Sequence, residues 1–393
     1  MPIDRRTVLA LPLAGLGSAI FTRTAYAADA PATTSVPFTS GTEGYDTFRI
    51  PAVVRTGRGT IVAFAEGRGH SASDTGDIDV VARRSTDGGR TWGALQVVAE
   101  AGTNTQGNPA PVVDPRTGRI VLLTCRNSGS VTEAQITTGA ATPEQSRRVF
   151  VQHSDNDGLG WSELREITAS AKLDNWRWYA TGPGHAIALT HGRHRGRLVV
   201  PADHSIAPPP GSTDTGAEAK YYGGHDLFSD DGGRSWHIGY VDDDPDGFIN
   251  VNETTAAQLP DGRIYFNARN HKGIAEGVRC DAYSDDGGRT LVDPYEPQPT
   301  LAGPVVQGSV LQFRGGPLLY SGPADPSARK AMTLRASTDD GSTWTPVLQL
   351  SPLPAAYSDL VRLSVTTVGL LYETGQSGPY ESISFTRIAV SAL

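Results

Sequence analysis

The residues whose types and spacing first invite chemistry are acidic and recur along the chain. Ser85-Thr86-Asp87-Gly88-Gly89-Arg90-Thr91-Trp92 returns in the frame S-x-D-x-G-x-x-W at Ser154 to Trp161, Ser229 to Trp236, Ser284 to Leu291 and Ser337 to Trp344. Two copies depart from it, with Asn156 in the Asp slot and Leu291 in the Trp slot. Such turns could hold calcium, but they lack the dense alternating oxygen donors of a calcium loop. They fit a hairpin turn better. The Asp carboxylate accepts backbone N–H bonds, Gly supplies positive φ, and Trp packs on the turn. Other metal and cofactor chemistry has no matching pattern. Cys125 and Cys280 lie outside any C-x-x-C pair, and His153, His185 and His204 have no ligand spacing. No glycine-rich loop follows a strand and opens a helix, so nucleotide binding is unsupported.

These turns need strands to join. The copies begin at 85, 154, 229, 284 and 337, a mean interval of about 63 residues, with room for four short strands and their turns. Runs such as Ile61-Val62-Ala63-Phe64, Ile120-Val121-Leu122-Leu123 and Ile264-Tyr265-Phe266 supply them, and long amphipathic helix patterns are absent. Gly 45 and Pro 27 agree with a chain of many turns. Over residues 28–393 the interval gives about six units, so the expected fold is a single all-β domain, a six-bladed β-propeller.

Composition narrows the partners. The chain has 393 residues, 38% hydrophobic and 19% charged, with a formal net charge of −8. That excludes a disordered chain, and the acidic balance argues against a general nucleic-acid binder. At the amino terminus, Arg5-Arg6 precedes an apolar stretch from Val8 to Phe21, and Ala25-Tyr26-Ala27 offers a cleavage site. Residues 1–27 therefore read as a twin-arginine-type signal peptide. The run is too short for a membrane anchor, so the expected product is secreted. The two cysteines read as one bridge or as two buried thiols.

The repeated turns, together with Phe48-Arg49-Ile50-Pro51, resemble the sialidase family of exo-glycosidases, whose boxes carry the name BNR repeat. The resemblance covers essentially residues 28–393. It implies three arginines from separate blades binding a substrate carboxylate, at Arg49, Arg269 in Asn267-Ala268-Arg269-Asn270, and Arg329 in Ser327-Ala328-Arg329-Lys330. A guanidinium suits this task because its planar fork is permanently charged and can bind a carboxylate bidentately. Arg335 is the alternative to Arg329. Arg68 in Glu66-Gly67-Arg68 would add a basic group at the rim, and Glu373 would hold Arg49 by an ion pair.

The same resemblance implies Asp74 as acid/base, with Asp77 and Asp79 as alternatives that read as turn or strand residues. It implies Glu253 in Asn252-Glu253-Thr254 as the base for a tyrosine nucleophile, Tyr357 in Ala356-Tyr357-Ser358-Asp359-Leu360, with Tyr372 the competing tyrosine. The choice of a phenol has a physical reason: a carboxylate nucleophile would be repelled by the acid on the reacting carbon, whereas neutral tyrosine is not. A phenol with a pKa of about 10 then needs an adjacent base. Trp176, Trp178 and Tyr179 read equally as pocket lining or core. The implied partners are sialylated glycans or glycoconjugates, with no nucleic acid, no membrane anchor, no metal and no cofactor, and a monomer is expected. A related ulosonic-acid hydrolase, a trans-sialidase and a non-catalytic glycan-binding propeller are the competing functions.

Overall fold

The computed structural model describes residues 33–392. The signal peptide expected at residues 1–27, with Arg5-Arg6 and Ala25-Tyr26-Ala27, lies outside them. Local sequence sets the strands. Ile61–Arg68 is an apolar run buried on both faces, and Ile264–Asn270 is buried at all but Arg269. Both are what a strand within a stack of sheets requires. Tight turns join them: Asp114 accepts from Arg116 N at 2.9 Å, and Gly118 takes φ 77° in closing its hairpin.

Four sheets stand apart from one another. One runs Trp176–Thr181, Leu198–Ile206, Tyr222–Ser229, His237–Asp243, with Ile187–Ala188 also on Leu198–Ile206. The next runs Val251–Gln258, Ile264–Asn270, Arg279–Ser284, Glu296–Pro297, and the third Ser309–Gln312, Leu318–Pro323, Met332–Ser337, Thr345–Gln349. The last runs Ala355–Arg362, Thr367–Thr374, Ser382–Ala389 and closes on the early strand Thr33–Thr39, which pairs Thr33 with Arg387. This pairing ties the first described strand to the last.

The strands of residues 47–166 form one eight-stranded sheet. The expectation of a six-bladed β-propeller is corrected accordingly: the all-β propeller stands, with four separate blades rather than six. The physical reason lies at one junction. Ile78 pairs in parallel with Thr105, Ile78 N donates to Asn104 O at 3.3 Å, and Thr105 Oγ1 donates to Gly76 O at 3.1 Å. The hydrogen-bonded ladder therefore continues where the repeat interval predicts a break. Repeat spacing counts turns and carries no information on whether neighbouring units share backbone bonds.

Apolar side chains fill the gaps between sheets. One cluster joins Val121, Leu123 and Val151 to Leu198, Val200 and Trp236, and another joins Phe48, Val53 and Ile61 to Leu371 and Phe385. The strands nearest the centre follow one another around the molecule, Thr47–Arg55 beside Thr105–Val113 and also beside Ala355–Arg362. Several of them share an irregularity at the same end. Register shifts between Arg49 and Ala52, Gly107 and Ala110, Val251 and Thr254, and Ala355 and Ser358. A bulge adds a residue and re-aims the side chains beside it. Ile50, Asn108, Glu253 and Tyr357 lie within these bulges, where Ile50 packs with Tyr357 and the Tyr357 hydroxyl meets Glu253.

The five box turns sit at the periphery. Asp87 Oδ1 accepts from Arg90 N and Thr91 N, both at 3.0 Å, and Gly88 and Gly89 take φ 78° and 85°. Asn156 keeps part of that bonding, accepting from Gly160 N at 2.8 Å, and Leu291 packs partly buried in its cluster. Cys125 and Cys280 are buried free thiols. Among the described residues no helix is long and apolar enough to cross a membrane.

Candidate active site

The bulge at Arg49 begins the site. Ile50 has φ 57°, which is costly for a β-branched residue, on the order of 1–3 kcal/mol. Glu373, fully buried on the adjacent sheet, stabilises it. Its Oε1 accepts from Arg49 Nε and from Ile50 N, both at 2.9 Å, and its Oε2 accepts from Tyr357 N at 3.1 Å. One carboxylate thus fixes a guanidinium and two bulged backbones. Burial works against the charge on Arg49, but Glu373, together with Tyr357 and Tyr380, outweighs it and holds the guanidinium protonated.

Arg68 lies beside Arg49, buried and gripped by Glu66, whose Oε2 accepts from its Nε at 3.1 Å and its Nη2 at 2.6 Å. Glu66 Oε1 also accepts from the bulged Asn108 N at 2.9 Å. Arg68 Nη1 then reaches out to Asp74 Oδ1 at 2.8 Å, and Arg49 Nη1 stands 3.8 Å from the same oxygen. The Asp74 side chain is 79% exposed at the mouth of the site. Desolvation opposes its ionisation, but Arg68 and Arg49 prevail and lower its pKa below the usual carboxylate range.

Across the centre, the Tyr357 hydroxyl donates to Glu253 Oε1, and Glu253 Oε2 accepts from Arg269 Nη1 at 2.9 Å. Burial and the Glu253 carboxylate push the phenol well above its ordinary pKa, against the pull of Arg269 and Arg49. Arg269 Nε is buried without a partner. Arg329, on a loop, lies 5.9 Å from the Tyr357 ring, donating to Tyr380 Oη at 2.8 Å and Val305 O at 3.3 Å. The three arginines therefore surround one tyrosine. This arrangement can bind an anion and offers a phenol with a carboxylate already at its proton.

The alternatives fall elsewhere. Arg335 is buried against Tyr320 and donates to Ala302 O, Tyr372 sits in an apolar cluster, and Asp79 accepts from Tyr45 Oη. Asp77 lies 4.0 Å from His70. The aromatics divide: Trp176 stacks on His204 at 3.8 Å in the core, as Tyr179 packs on His225, while Trp178 lies under Arg147 at 4.0 Å.

Several residues of the site escaped the sequence reading. Arg147 is buried and donates to Asn108 Oδ1 at 2.8 Å, with its Nε unpaired. Asp203, fully buried beside Asn252, has an unpaired Oδ1, and burial together with Glu253 pushes its carboxyl far upward. Tyr380 lies 4.0 Å from Arg49. Only Glu66 carried a signal, standing two residues from Arg68 on the same strand face. Among the described residues no cluster of three or more His, Cys, Asp or Glu could hold a metal.

The family described as BNR repeat-like domain matches residues 59–370. A sialidase of Micromonospora viridifaciens is 31% identical over 363 residues, 88% of this chain and 52% of that protein. An exo-alpha-sialidase of Aspergillus fumigatus is 32% identical over 317 residues, 75% of this chain and 69% of that protein. The chain thus spans about half the length of the first relative. The solved structure of the Hadza microbial sialidase Hz136 superposes with a TM-score of 0.77 at 27% identity, over 92% of this chain and 69% of that one.

Proposed function

The chain belongs to the sialidase family, and we propose that it is a retaining exo-α-sialidase that releases terminal sialic acids from glycoconjugates through a covalent tyrosyl-sugar intermediate. The observation that carries this reading is the Tyr357–Glu253–Arg269 chain, a phenol whose hydroxyl already donates to a carboxylate inside a cluster of arginines. Arg49, Arg269 and Arg329 bind the substrate carboxylate, with Glu373 orienting Arg49 and Arg68 at the rim. Tyr357 Oη attacks the anomeric carbon while its proton passes to Glu253. Asp74 gives its proton to the departing glycosidic oxygen. Water then attacks the same carbon and loses a proton to Asp74, and Tyr357 leaves as phenol with the proton held by Glu253.

Asp74 begins this cycle on the wrong side of its titration. Its lowered pKa reflects the positive charge of Arg68 and Arg49 beside it. A substrate carboxylate on Arg49 competes for that positive charge and raises the Asp74 pKa, so that binding itself favours the protonated acid. Two displacements preserve the anomeric configuration. Proton NMR of the first product formed should show the α-anomer, and β-anomer appearing first would sink the mechanism.

We propose further that residues 28–393 act as one catalytic domain, monomeric and exported under the control of Arg5-Arg6. Replacing both arginines by Lys should retain the protein in the cytoplasm; unchanged secretion would rule that out.

A further inference from the structure

The three arginines are not held alike. Arg49 is paired with Glu373 and Arg269 with Glu253, each through a charge-assisted hydrogen bond. Arg329 has no carboxylate partner among the described residues; its bonds go to Val305 O and the hydroxyl of Tyr380. Tyr380 also places its ring 4.0 Å from the Arg49 guanidinium. One neutral side chain therefore contacts two cations, one through its oxygen and the other through its π face.

Tyr380 is itself firmly placed. Its loop joins Thr367–Thr374 to Ser382–Ala389 and folds on Glu381, whose carboxylate accepts from Gln376 N, Ser377 N and Gly378 N at 2.8–3.0 Å. Ser40 Oγ donates to Tyr380 O at 2.7 Å, and Ser40 N to Glu381 O at 3.0 Å. The loop is thus tied to the strand that closes the last sheet. A carboxylate in place of this phenol would neutralise Arg329 and compete with an incoming anion. A phenol fixes the guanidinium and leaves its charge free.

We propose that Tyr380 is a positioning residue of the anion clamp, holding Arg329 by its hydroxyl and Arg49 by its ring so that both converge on one substrate carboxylate. This rests on the function proposed above, in which these arginines bind a sugar acid. The test measures binding by calorimetry, using a 2,3-unsaturated sugar acid and its methyl ester with the full chain. Tyr380→Phe, which keeps the ring, should weaken binding of the acid about tenfold, the scale of one hydrogen bond to a charged group, and the ester by less than about twofold. In an Arg329→Ala background the same substitution should change acid binding by less than about twofold, because its partner is gone. Tyr380→Leu, which loses the ring too, should cost more than Tyr380→Phe in both backgrounds. In turnover the Tyr380→Phe loss should fall mainly on KM rather than kcat.

Equal losses for acid and ester, or a Tyr380→Phe effect that persists without Arg329, would overturn the proposal. Acid binding that follows the expected pattern in a protein unable to cleave sialosides would leave the clamp standing and refute the proposed hydrolysis. Failure of the wild type to bind the acid would refute both.

Discussion

The peripheral box turns and the central site use the same residue types in opposite ways. In the box turn at Asp231, the carboxylate is spent on its own loop: it accepts from Ser229 Oγ, Arg234 N, Ser235 N and Ser235 Oγ, all within six residues. Burial opposes ionisation there, but these bonds together outweigh it and lower its pKa to about 2. At the centre, Glu373 binds Arg49 from 324 residues away, and Glu253 meets Tyr357 across 104. There the polar groups remain partly unsatisfied, including Arg269 Nε, Arg147 Nε and Asp203 Oδ1. A carboxylate whose bonds are all local stabilises its own turn, even where the box indole, as at Trp161 and Trp344, has no partner. Bonding that is long-range and incomplete leaves capacity for a ligand, and the fold supports it with the sheets behind it.

The comparison is broken or sharpened by substitutions on its two sides. The largest effect is expected at the nucleophile. Tyr357→Phe should lower kcat by at least about a thousandfold in steady-state assays while its thermal midpoint stays near wild type, because the ring that fills the space remains. A modest loss would move the chemistry elsewhere. Next, Arg269→Ala removes a charge-assisted contact from a buried site and should cost about 2–5 kcal/mol in kcat/KM, with little effect on a substrate whose carboxylate is reduced to an alcohol.

Asp74 should separate substrates by leaving group. With poor leaving groups, activity should fall as pH rises, because fewer molecules carry the proton that Asp74 must give, and Arg68 and Arg49 shift that fall toward acid. With a fluoride leaving group the profile should be flat on that side, and Asp74→Ala should hurt the glycan far more than the fluoride. Matching profiles would remove Asp74 from the acid role.

On the peripheral side, Asp231→Ala should cost about 1–3 kcal/mol of stability, lowering the thermal midpoint by a few degrees, with kcat/KM within about twofold of wild type. Its folded pKa lies below the unfolded value of about 3.9, so the stabilisation is present above that value and lost as pH falls through about 2. A large loss of activity in a folded Asp231→Ala protein would erase the distinction between the two regions.

The same contrast explains what sequence could convey. Box turns are legible because every partner of Asp87 or Asp231 lies within a few residues, so composition at fixed offsets encodes the whole motif. The arginines, Asp74, Glu253 and Tyr357 were reached through motif resemblance, and the structure brings them together, Arg49, Glu253 and Tyr357 from bulged strands and Asp74 and Arg329 from loops. Tyr380, Arg147 and Asp203 were not reached as site residues. Each contributes through contacts set by how sheets pack, as with Arg147 against Asn108 and Tyr380 against Arg329, and no local pattern marks such pairs. The sheet count failed for a related reason, since one backbone pair at Ile78 and Thr105 decides it.

The most direct test of the proposed chemistry is to trap the covalent intermediate. A 3-fluoro sialyl fluoride should slow both steps through its electron-withdrawing substituent, while its good leaving group lets the first proceed. Peptide mapping by mass spectrometry should place the added sugar on Tyr357. Labelling should be absent in Tyr357→Phe, slowed in Glu253→Gln and retained in Asp74→Ala. Mass on Tyr372 or Tyr380, or turnover with no adduct on any tyrosine, would contradict Tyr357 as the nucleophile.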